Sequence, residues 1–237
     1  MTCPGGEGGE AGYPTTLSEE RRDQIRRWHE SALERGRRSA EVTLRFLDRT
    51  FVVAPEVIPP NPLGLGESTL AEVRDGDRVL DLGTGSGVNG ILAASQARLV
   101  LAVDVNPVAV QCARRNAEAN GVSDRFQAVE SDLFEKVTGR FDLVLFDPPF
   151  RWFRPRDLFE RATADEGYKT LTAFFQEVRG FLAPGGRILL FFGSSGDIEY
   201  LARLMARSGL RSEVLRRFEI ERDGEKVHYF VYRLRET

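Results

Sequence analysis

Hydrophobic positions follow two different periods along this chain, and the two periods replace each other repeatedly beyond residue 67. Short apolar runs at 78–82, 99–103 and 141–146 are typical of buried strands, while the amphipathic stretches between them favour helices. Such strand–helix alternation predicts a parallel sheet covered by helices on both faces. We therefore expect an α/β fold, a doubly wound Rossmann-like sheet that is mostly parallel.

Turn residues mark the ends of several predicted elements. Pro107 suits the first turn of a helix, Asn120-Gly121 suits its end, and Asp223-Gly224 predicts a hairpin turn between two antiparallel strands. The predicted helices are 18–38, 40–48, 67–74, the stretch from the turn after 82 to about 97, 107–120, 168–182 and 198–208. The predicted strands are 51–53, 78–82, 99–103, 126–130, 141–146, 187–192 and the carboxy-terminal hairpin 212–220 and 226–234.

Composition divides the chain into three parts. Residues 1–16 are rich in Gly, Glu and Pro, which predicts a disordered tail. Residues 17–66 are expected to form a helical extension followed by a proline-rich loop, because four prolines fall within 55–62 and proline is excluded from helix interiors. Residues 67–237 are expected to form the main domain.

Charge and residue usage exclude several classes of protein. The formal net charge of −3 gives no electrostatic footprint for nucleic acid. Two cysteines and two histidines are too few and too separated to predict a disulfide framework or a metal site. No apolar run approaches the length of a membrane span, and the amino terminus has no apolar signal core. We expect a cytoplasmic protein with no metal and no membrane partner.

A glycine loop, Asp81-Leu-Gly83-Thr-Gly85-Ser-Gly87, follows the first strand of the main domain. Glycines permit a tight turn and let a ligand approach the backbone closely. In a parallel sheet this loop lies at the carboxyl end of its strand, where ligands bind. Asp104 ends the next strand, and a carboxylate there can accept two hydrogen bonds from a ribose diol.

Two further acids bear on the nature of the ligand. The spacing Gly85-x-Gly87-x-x-Gly90 also fits a dinucleotide fingerprint, which alone is weak evidence. Asp81 lies in the turn itself, where a carboxylate suits a cationic amino group and repels a pyrophosphate. Asp132 follows the third strand and is placed to reach an adenine amino group. Either acid alone is as easily a turn residue, but the ordered set favours a ligand that carries a positive charge.

The strand at 141–146 runs into Asp147-Pro148-Pro149-Phe150. A proline pair can simply end a strand, but here it lies between an acid and an aromatic residue. Asp147 and the Pro148 carbonyl can each accept a hydrogen bond from a planar NH2 group, and Phe150 can stack on its flat face. Both hydrogens are then held away from a methyl donor and the lone pair faces it. Such alignment can be worth about 7–11 kcal/mol of barrier.

These motifs resemble those of class I S-adenosylmethionine-dependent methyltransferases. The chain is most similar to HemK-type protein-glutamine methyltransferases and to small-domain rRNA guanine-N2 enzymes, over roughly residues 51–192. It departs from the HemK pattern by having Asp147 in place of Asn and Phe150 in place of Tyr. The resemblance implies S-adenosylmethionine as cofactor and an N-methyltransferase activity for 67–237. It implies cofactor contacts for Asp81, Gly83, Gly85, Gly87, Asp104, Asp132 and Leu133, and contacts to the target nitrogen for Asp147, Pro148 and Phe150.

The segment 151–167 is expected to border the substrate pocket. Pro149 and Trp152 are candidate substrate contacts, as parts of a lid whose aromatic and arginine side chains touch the methyl acceptor. The alternative is a surface loop whose aromatic side chains pack back onto the core. The helices expected at 18–48 are placed to close the same pocket from the other side.

Several functions share parts of this pattern. A NAD-type oxidoreductase uses a similar glycine loop, but Asp147-Pro148-Pro149-Phe150 has no role in hydride transfer. A binding protein that has lost catalysis and an aminopropyl transferase related to spermidine synthase are further alternatives. The methyl acceptor stays open among a protein glutamine amide, a nucleobase amino group of rRNA or tRNA, and a small-molecule amine. The oligomeric state is also open.

Overall fold

The computed structural model describes residues 13–37, 40–61 and 64–236. Its strands are β1 (Val42–Phe46), β2 (Arg49–Val53), β3 (Arg78–Leu82), β4 (Leu99–Asp104), β5 (Phe126–Glu130), β6 (Phe141–Phe146), β7 (Leu182–Gly193), β8 (Leu210–Arg222) and β9 (Glu225–Glu236). Seven of them form one sheet in the order β5-β4-β3-β6-β7-β9-β8, and β1 pairs with β2 in a separate hairpin. The first five strands of that order are parallel, and β9 pairs antiparallel with both β7 and β8. This confirms the predicted α/β fold with its carboxy-terminal hairpin.

Seven helices occur in the described ranges. They are α1 (Glu19–Gly36), α2 (Gly66–Glu72), α3 (Val88–Ala93), α4 (Pro107–Ala119), α5 (Leu158–Arg161), α6 (Lys169–Glu177) and α7 (Ile198–Arg207), with 3₁₀ turns at Glu166–Tyr168 and Val178–Phe181. The helix predicted at 168–182 is thus shorter, since its last turn is a 3₁₀ turn, and α3 ends well before residue 97. Within these ranges, no helix combines the length and the apolar character that crossing a membrane requires.

The strand order places a ligand crevice beside β3. Consecutive strands β4 and β5 lie on one side of β3, whereas β6 and β7 lie on the other. Leu82 pairs with Val103 of β4 and with Phe146 of β6, so the three strands end at the same edge. In open α/β sheets, ligands bind at the carboxyl edge where the strand order reverses. The glycine loop and the segment that begins at Asp147 both start at this edge.

The helix predicted at 40–48 is wrong, because the structure has strand β1 there. Val42, Leu44 and Phe46 alternate with more exposed residues, which is a period of two and not of 3.6. Leu47 and Asp48 both adopt positive φ, at 47° and 61°, and form the two-residue turn into β2. Tertiary pairing with β2 therefore overrides the local helical pattern.

The predicted tail at 1–16 needs correction at its end. Residues 1–12 lie outside the described residues, but Tyr13 and Thr16 are packed onto the main domain. The Tyr13 ring lies 4.9 Å from the Tyr168 ring and 5.1 Å from the Tyr200 ring, measured between centroids. Thr16 donates its backbone N–H and its hydroxyl to the buried carboxylate of Asp197 at 2.9 and 2.7 Å. This strap leads directly into α1.

Helix α1 joins two distant parts of the chain. Its indole at Trp28 donates to the Asp223 carboxylate at 2.6 Å, at the tip of the β8–β9 hairpin. At the next position, buried His29 lies 2.9 Å from the Glu160 carboxylate on α5. Helix α1 therefore holds α5 and the surrounding segment 151–167 against the main domain.

Candidate active site

The glycine loop has a fixed backbone. Gly83 and Gly85 adopt φ of 67° and 55°, a left-handed region that L side chains rarely enter. The Gly85 N–H donates to Asp104 Oδ2 at 2.9 Å, and the Thr84 N–H donates to the Val103 carbonyl at 3.0 Å. Both glycines line a cavity of about 620 Å³ at the carboxyl edge of the sheet. The loop and the end of β4 therefore form one wall of the cavity.

Asp81 lies beneath this loop. Its side chain is buried, and its Oδ2 accepts hydrogen bonds from the Thr84 hydroxyl at 2.6 Å and from the Gly90 N–H at 3.0 Å. The described cavity wall does not include Asp81. The contact expected between Asp81 and a cationic group of the ligand stays a prediction. In the structure, the Asp81 carboxylate holds the loop in shape.

Gly87 is also needed for packing. A Cβ at this position would lie 3.1 Å from the Cα of Ala113 and 2.9 Å from Ile91 Cδ1, and φ is 89°. Helices α3 and α4 approach each other closely here, and only glycine fits between them. Gly87 does not belong to the described cavity wall, and the structure gives it a role in helix packing, while its cofactor contact stays a prediction.

The remaining predicted site residues meet in the cavity. Its wall contains Gly83, Gly85, Asp104, Asp132, Leu133, Asp147, Pro148, Pro149 and Phe150. A second group of side chains covers the same cavity. Leu44, Phe46, Arg151, Leu158 and Arg161 come from the two segments expected to border the pocket, whereas Tyr229 was not predicted there. Apart from Arg151, which directly follows the proline motif, these side chains come from distant segments that carry no local motif.

Carboxylates dominate the electrostatics of the sheet edge. Burial, with the neighbouring Asp81 charge as a second cause, raises the pKa of Asp147 to about 7. Burial likewise raises the pKa of Asp81 to about 7 against the opposing hydrogen bond from Thr84, and it raises the pKa of Asp104. Crowded, desolvated acids favour a ligand with positive charge and disfavour a pyrophosphate. The carboxylates at this edge of the sheet therefore fit a nucleoside that carries a positively charged sulfur.

Asp132 has a cationic partner in the described structure. Its Oδ2 lies 2.5 Å from Arg161 Nη2, and both side chains are partly exposed. Asp132 lines the cavity beside Leu133, as predicted for an adenine contact. The ion pair also ties this end of the cavity to α5, which was not predicted.

The motif after β6 contains a carboxylate without a hydrogen bond, Asp147, and an aromatic ring held by its neighbours, Phe150. Asp147 makes no side-chain hydrogen bond to any described residue and lies on the cavity wall. The Phe150 ring packs against Phe192 and Tyr229, at centroid distances of 5.5 and 6.3 Å. The Phe150 carbonyl accepts from the Tyr168 hydroxyl at 2.9 Å. Packing and hydrogen bonding thus hold the aromatic residue in place beside a free carboxylate.

The prediction that Trp152 touches substrate needs correction. Its side chain is 1% exposed and packs against Phe153 and Tyr13, at centroid distances of 4.7 and 6.0 Å. The cavity wall, as far as the structure describes it, does not include Trp152. Aromatic residues of this segment pack back onto the core, whereas Arg151 and α5 border the cavity.

A doubly wound sheet with an acidic cavity where its strand order reverses is the arrangement in which α/β proteins bind their ligands. Residues 65–207, more than half of the chain, match the family model of the methyltransferase small domain, and the chain belongs to this family. Membership confirms the predicted class, an S-adenosylmethionine-dependent N-methyltransferase, and its cofactor. It also decides against the dinucleotide-dependent oxidoreductase.

Individual proteins are similar over much of this region. A protein of Methanocaldococcus jannaschii, provisionally named a protein N5-glutamine methyltransferase, is 33% identical over 162 residues, which are 64% of this chain and 79% of that protein. A release factor glutamine methyltransferase of Cereibacter sphaeroides is 34% identical over 70% of this chain and 64% of its own length. A solved 16S rRNA N2 G1207 methyltransferase of T. thermophilus shares the fold, with a TM-score of 0.60 and 23% identity over 83% of this chain and 50% of that chain.

Proposed function

We propose that this protein transfers a methyl group from S-adenosylmethionine to a planar nitrogen that Asp147 and the Pro148 carbonyl hold. The observation that carries the proposal is the Asp147 carboxylate at the end of β6, which lines the cavity and makes no side-chain hydrogen bond to any described residue. Asp147 is half-buried, and a partly desolvated carboxylate without a hydrogen-bond partner is stabilised when a ligand supplies a donor. An NH2 group supplies that donor.

The cofactor contacts belong to the same proposal. Gly83, Gly85 and Leu133 line the part of the cavity next to Asp104, whose carboxylate accepts the ribose hydroxyls, and Asp132 accepts from the adenine amino group. Bound there, the cofactor supplies a methyl group on a positively charged sulfur. The acids at the sheet edge offset part of that charge, because their raised pKa values fall when a cation binds.

The protein's contribution to the reaction is mainly alignment. Asp147 and the Pro148 carbonyl accept the two hydrogens of the NH2 group, and Phe150 stacks on its flat face, so that the lone pair points at the methyl carbon. The nitrogen lone pair forms the new N–C bond as the S–C bond breaks, and the sulfur keeps the bonding pair. Asp147 stabilises the positive charge that develops on nitrogen until that nitrogen loses a proton.

The acceptor classes named for the relatives set the first screen. A glutamine amide is the named target of the Methanocaldococcus jannaschii and Cereibacter sphaeroides proteins, and the T. thermophilus enzyme is named for N2 of a guanine in rRNA. Each is a planar nitrogen of the kind that Asp147 and Pro148 suit. Release factors and rRNA act in the cytoplasm, so the cytoplasmic location expected from the sequence is part of this proposal.

The amino-terminal segment takes part as a cover. Leu44 and Phe46 of β1 and Leu158 of α5 line the cavity opposite the sheet edge. We therefore assign residues 17–66 to acceptor selection and residues 67–237 to cofactor binding and methyl transfer.

The decisive experiment separates binding from transfer. Titration calorimetry of the wild type is expected to show binding of S-adenosylmethionine and S-adenosylhomocysteine and none of NAD. Labelled methyl transfer to release factors, rRNA, tRNA and small aromatic amines then identifies the acceptor. Asp147→Ala is expected to reduce transfer by about 10²–10³-fold with cofactor affinity kept, because it removes a contact to the reacting nitrogen. The control is Asp75→Ala, an exposed acid away from the cavity. Unchanged turnover in Asp147→Ala would refute the assigned role.

A further inference from the structure

Arg151 is a buried cation on the cavity wall. Its residue is 7% exposed, and its guanidinium carbon lies 5.4 Å from the centre of the Phe150 ring. Its Nε has no hydrogen-bond partner, and it makes no ion pair with any described carboxylate. Both Arg151 and Phe150 line the cavity, so the guanidinium lies beside the proposed acceptor site.

Other arginines show how unusual this environment is. Arg187 is equally deep in the core, but its guanidinium meets the Asp77 carboxylate at 2.6 Å and donates to the Asp142 carbonyl at 2.9 Å. Arg161, which also lines the cavity, pairs with Asp132. Among the described arginines that are buried or line the cavity wall, Arg151 thus stands out as a buried charge with no acid beside it.

The Arg151 side chain stays charged near neutral pH. Burial lowers its pKa to about 10, and the nearby Arg222 charge lowers it as well, whereas Tyr229 and Tyr168 act in the opposite direction. A buried charge without a counter-ion is costly, and a bound anion removes that cost. A ligand group, not the protein itself, is the natural source of this anion.

A carboxylate fits the site better than a phosphate. Arg222 is the nearby second cation, but it donates to the Trp28 carbonyl at 2.9 Å and stacks over the Trp28 ring. One guanidinium therefore remains, and its fork matches the single charge and the two oxygens of a carboxylate. The neighbouring rings of Phe150, Phe191 and Tyr229 add an aromatic wall to the cavity.

We propose that the methyl acceptor is a small amine that carries a carboxylate on an aromatic or similarly flat frame, and that Arg151 binds this carboxylate while Asp147 binds the nitrogen. The inference rests on the proposed function and narrows its acceptor class. On this proposal, Arg151 makes the protein bind an acid more tightly than its neutral analogue, because a site built for an ionic partner rejects an isostere that lacks the charge.

The test compares two probes of nearly the same shape, one with a carboxylate and the other with a neutral amide in its place. The binding of 4-aminobenzoate and of 4-aminobenzamide is measured by calorimetry in saturating S-adenosylhomocysteine. Wild type is expected to bind the acid at least about ten-fold more tightly than the amide, because one charge-assisted hydrogen bond contributes about that much affinity. Arg151→Gln is expected to abolish this preference and Arg151→Lys to keep part of it. The control Arg154→Gln, an exposed arginine of the same segment, is expected to behave as wild type.

Each outcome bears on the inference. Equal affinity for the two probes, no measurable binding of the acid to wild type, or a preference that survives in Arg151→Gln would overturn it. Inorganic phosphate that binds more tightly than 4-aminobenzoate would also overturn it, in favour of a phosphorylated acceptor. Affinity for S-adenosylhomocysteine is the internal reference: its loss in wild type removes the proposed function itself, whereas normal cofactor binding without acid preference removes the Arg151 assignment alone.

Discussion

The two sides of the cavity are built in different ways. The sheet edge consists of three strand ends and their loops, where Asp104 anchors the Gly85 N–H and Asp81 braces the turn from below. The cover consists of β1, α5 and segment 151–167, held by long-range pairs such as His29 with Glu160. Backbone geometry fixes the first side, and side-chain packing fixes the second. The first therefore suits a shared cofactor, and the second suits an acceptor that differs between relatives.

The largest difference between the two sides should appear in cofactor affinity. Asp104→Ala removes both the proposed ribose acceptor and the anchor of Gly85, and charge-assisted hydrogen bonds are worth about 1.5–3 kcal/mol each. We expect S-adenosylhomocysteine to bind about ten- to a hundred-fold more weakly, as measured by calorimetry. The control is Glu130→Ala, which removes the register partner of Asp104 on β5. Equal losses in both variants would show that the effect is a general disturbance of the sheet edge.

A smaller effect, on the free energy of unfolding, should show how much the packing of helices α3 and α4 depends on Gly87. Gly87→Ala places a Cβ against Ala113 and Ile91, and overpacking costs about 1–3 kcal/mol. The matched control is Gly121→Ala, since Gly121 has a similar positive φ of 68° and open space around its Cβ position. The difference in unfolding free energy between the two variants, measured in urea, isolates the steric part. Identical destabilisation would mean that backbone strain alone explains the glycine.

The sheet edge was largely predictable from the sequence, whereas for the cover only the segments were predictable and not their side-chain contacts. Asp104 and Asp147 follow short apolar runs, so their positions at strand ends follow from local pattern alone. Trp152 was wrongly predicted to contact substrate, because the sequence beside a motif looks the same whether an aromatic residue packs in the core or lines a pocket. The β1 hairpin was misread because its pairing depends on β2. The role proposed for Arg151 depends on the absence of a nearby described acid. This absence is a property of the tertiary structure and cannot be predicted from the local sequence.

The smallest expected effect is a pH dependence of the cover. Burial lowers the pKa of His29 below its ordinary value of 6.5, against the opposing hydrogen bond to Glu160. The unfolded chain therefore takes up a proton on this histidine at a higher pH than the folded protein does. Its contribution to stability is fully present above pH 6.5 and is lost as the pH falls below that value.

Urea unfolding at pH 7.5 and at pH 5.5 measures this contribution. One proton changes the free energy of unfolding by at most about 1.4 kcal/mol per pH unit, which sets the upper limit of the effect. The histidine is isolated by the difference from wild type. Between pH 7.5 and pH 5.5, His29→Gln is expected to lose less stability, or to gain more, than wild type, whereas His228→Gln, at the partly exposed second histidine, is expected to match wild type. Persistence of the wild-type pH dependence in His29→Gln would show that His29 does not contribute to it. Any fall in stability towards pH 5.5 would then come from groups other than the sheet-edge acids, because their raised pKa values act with the opposite sign.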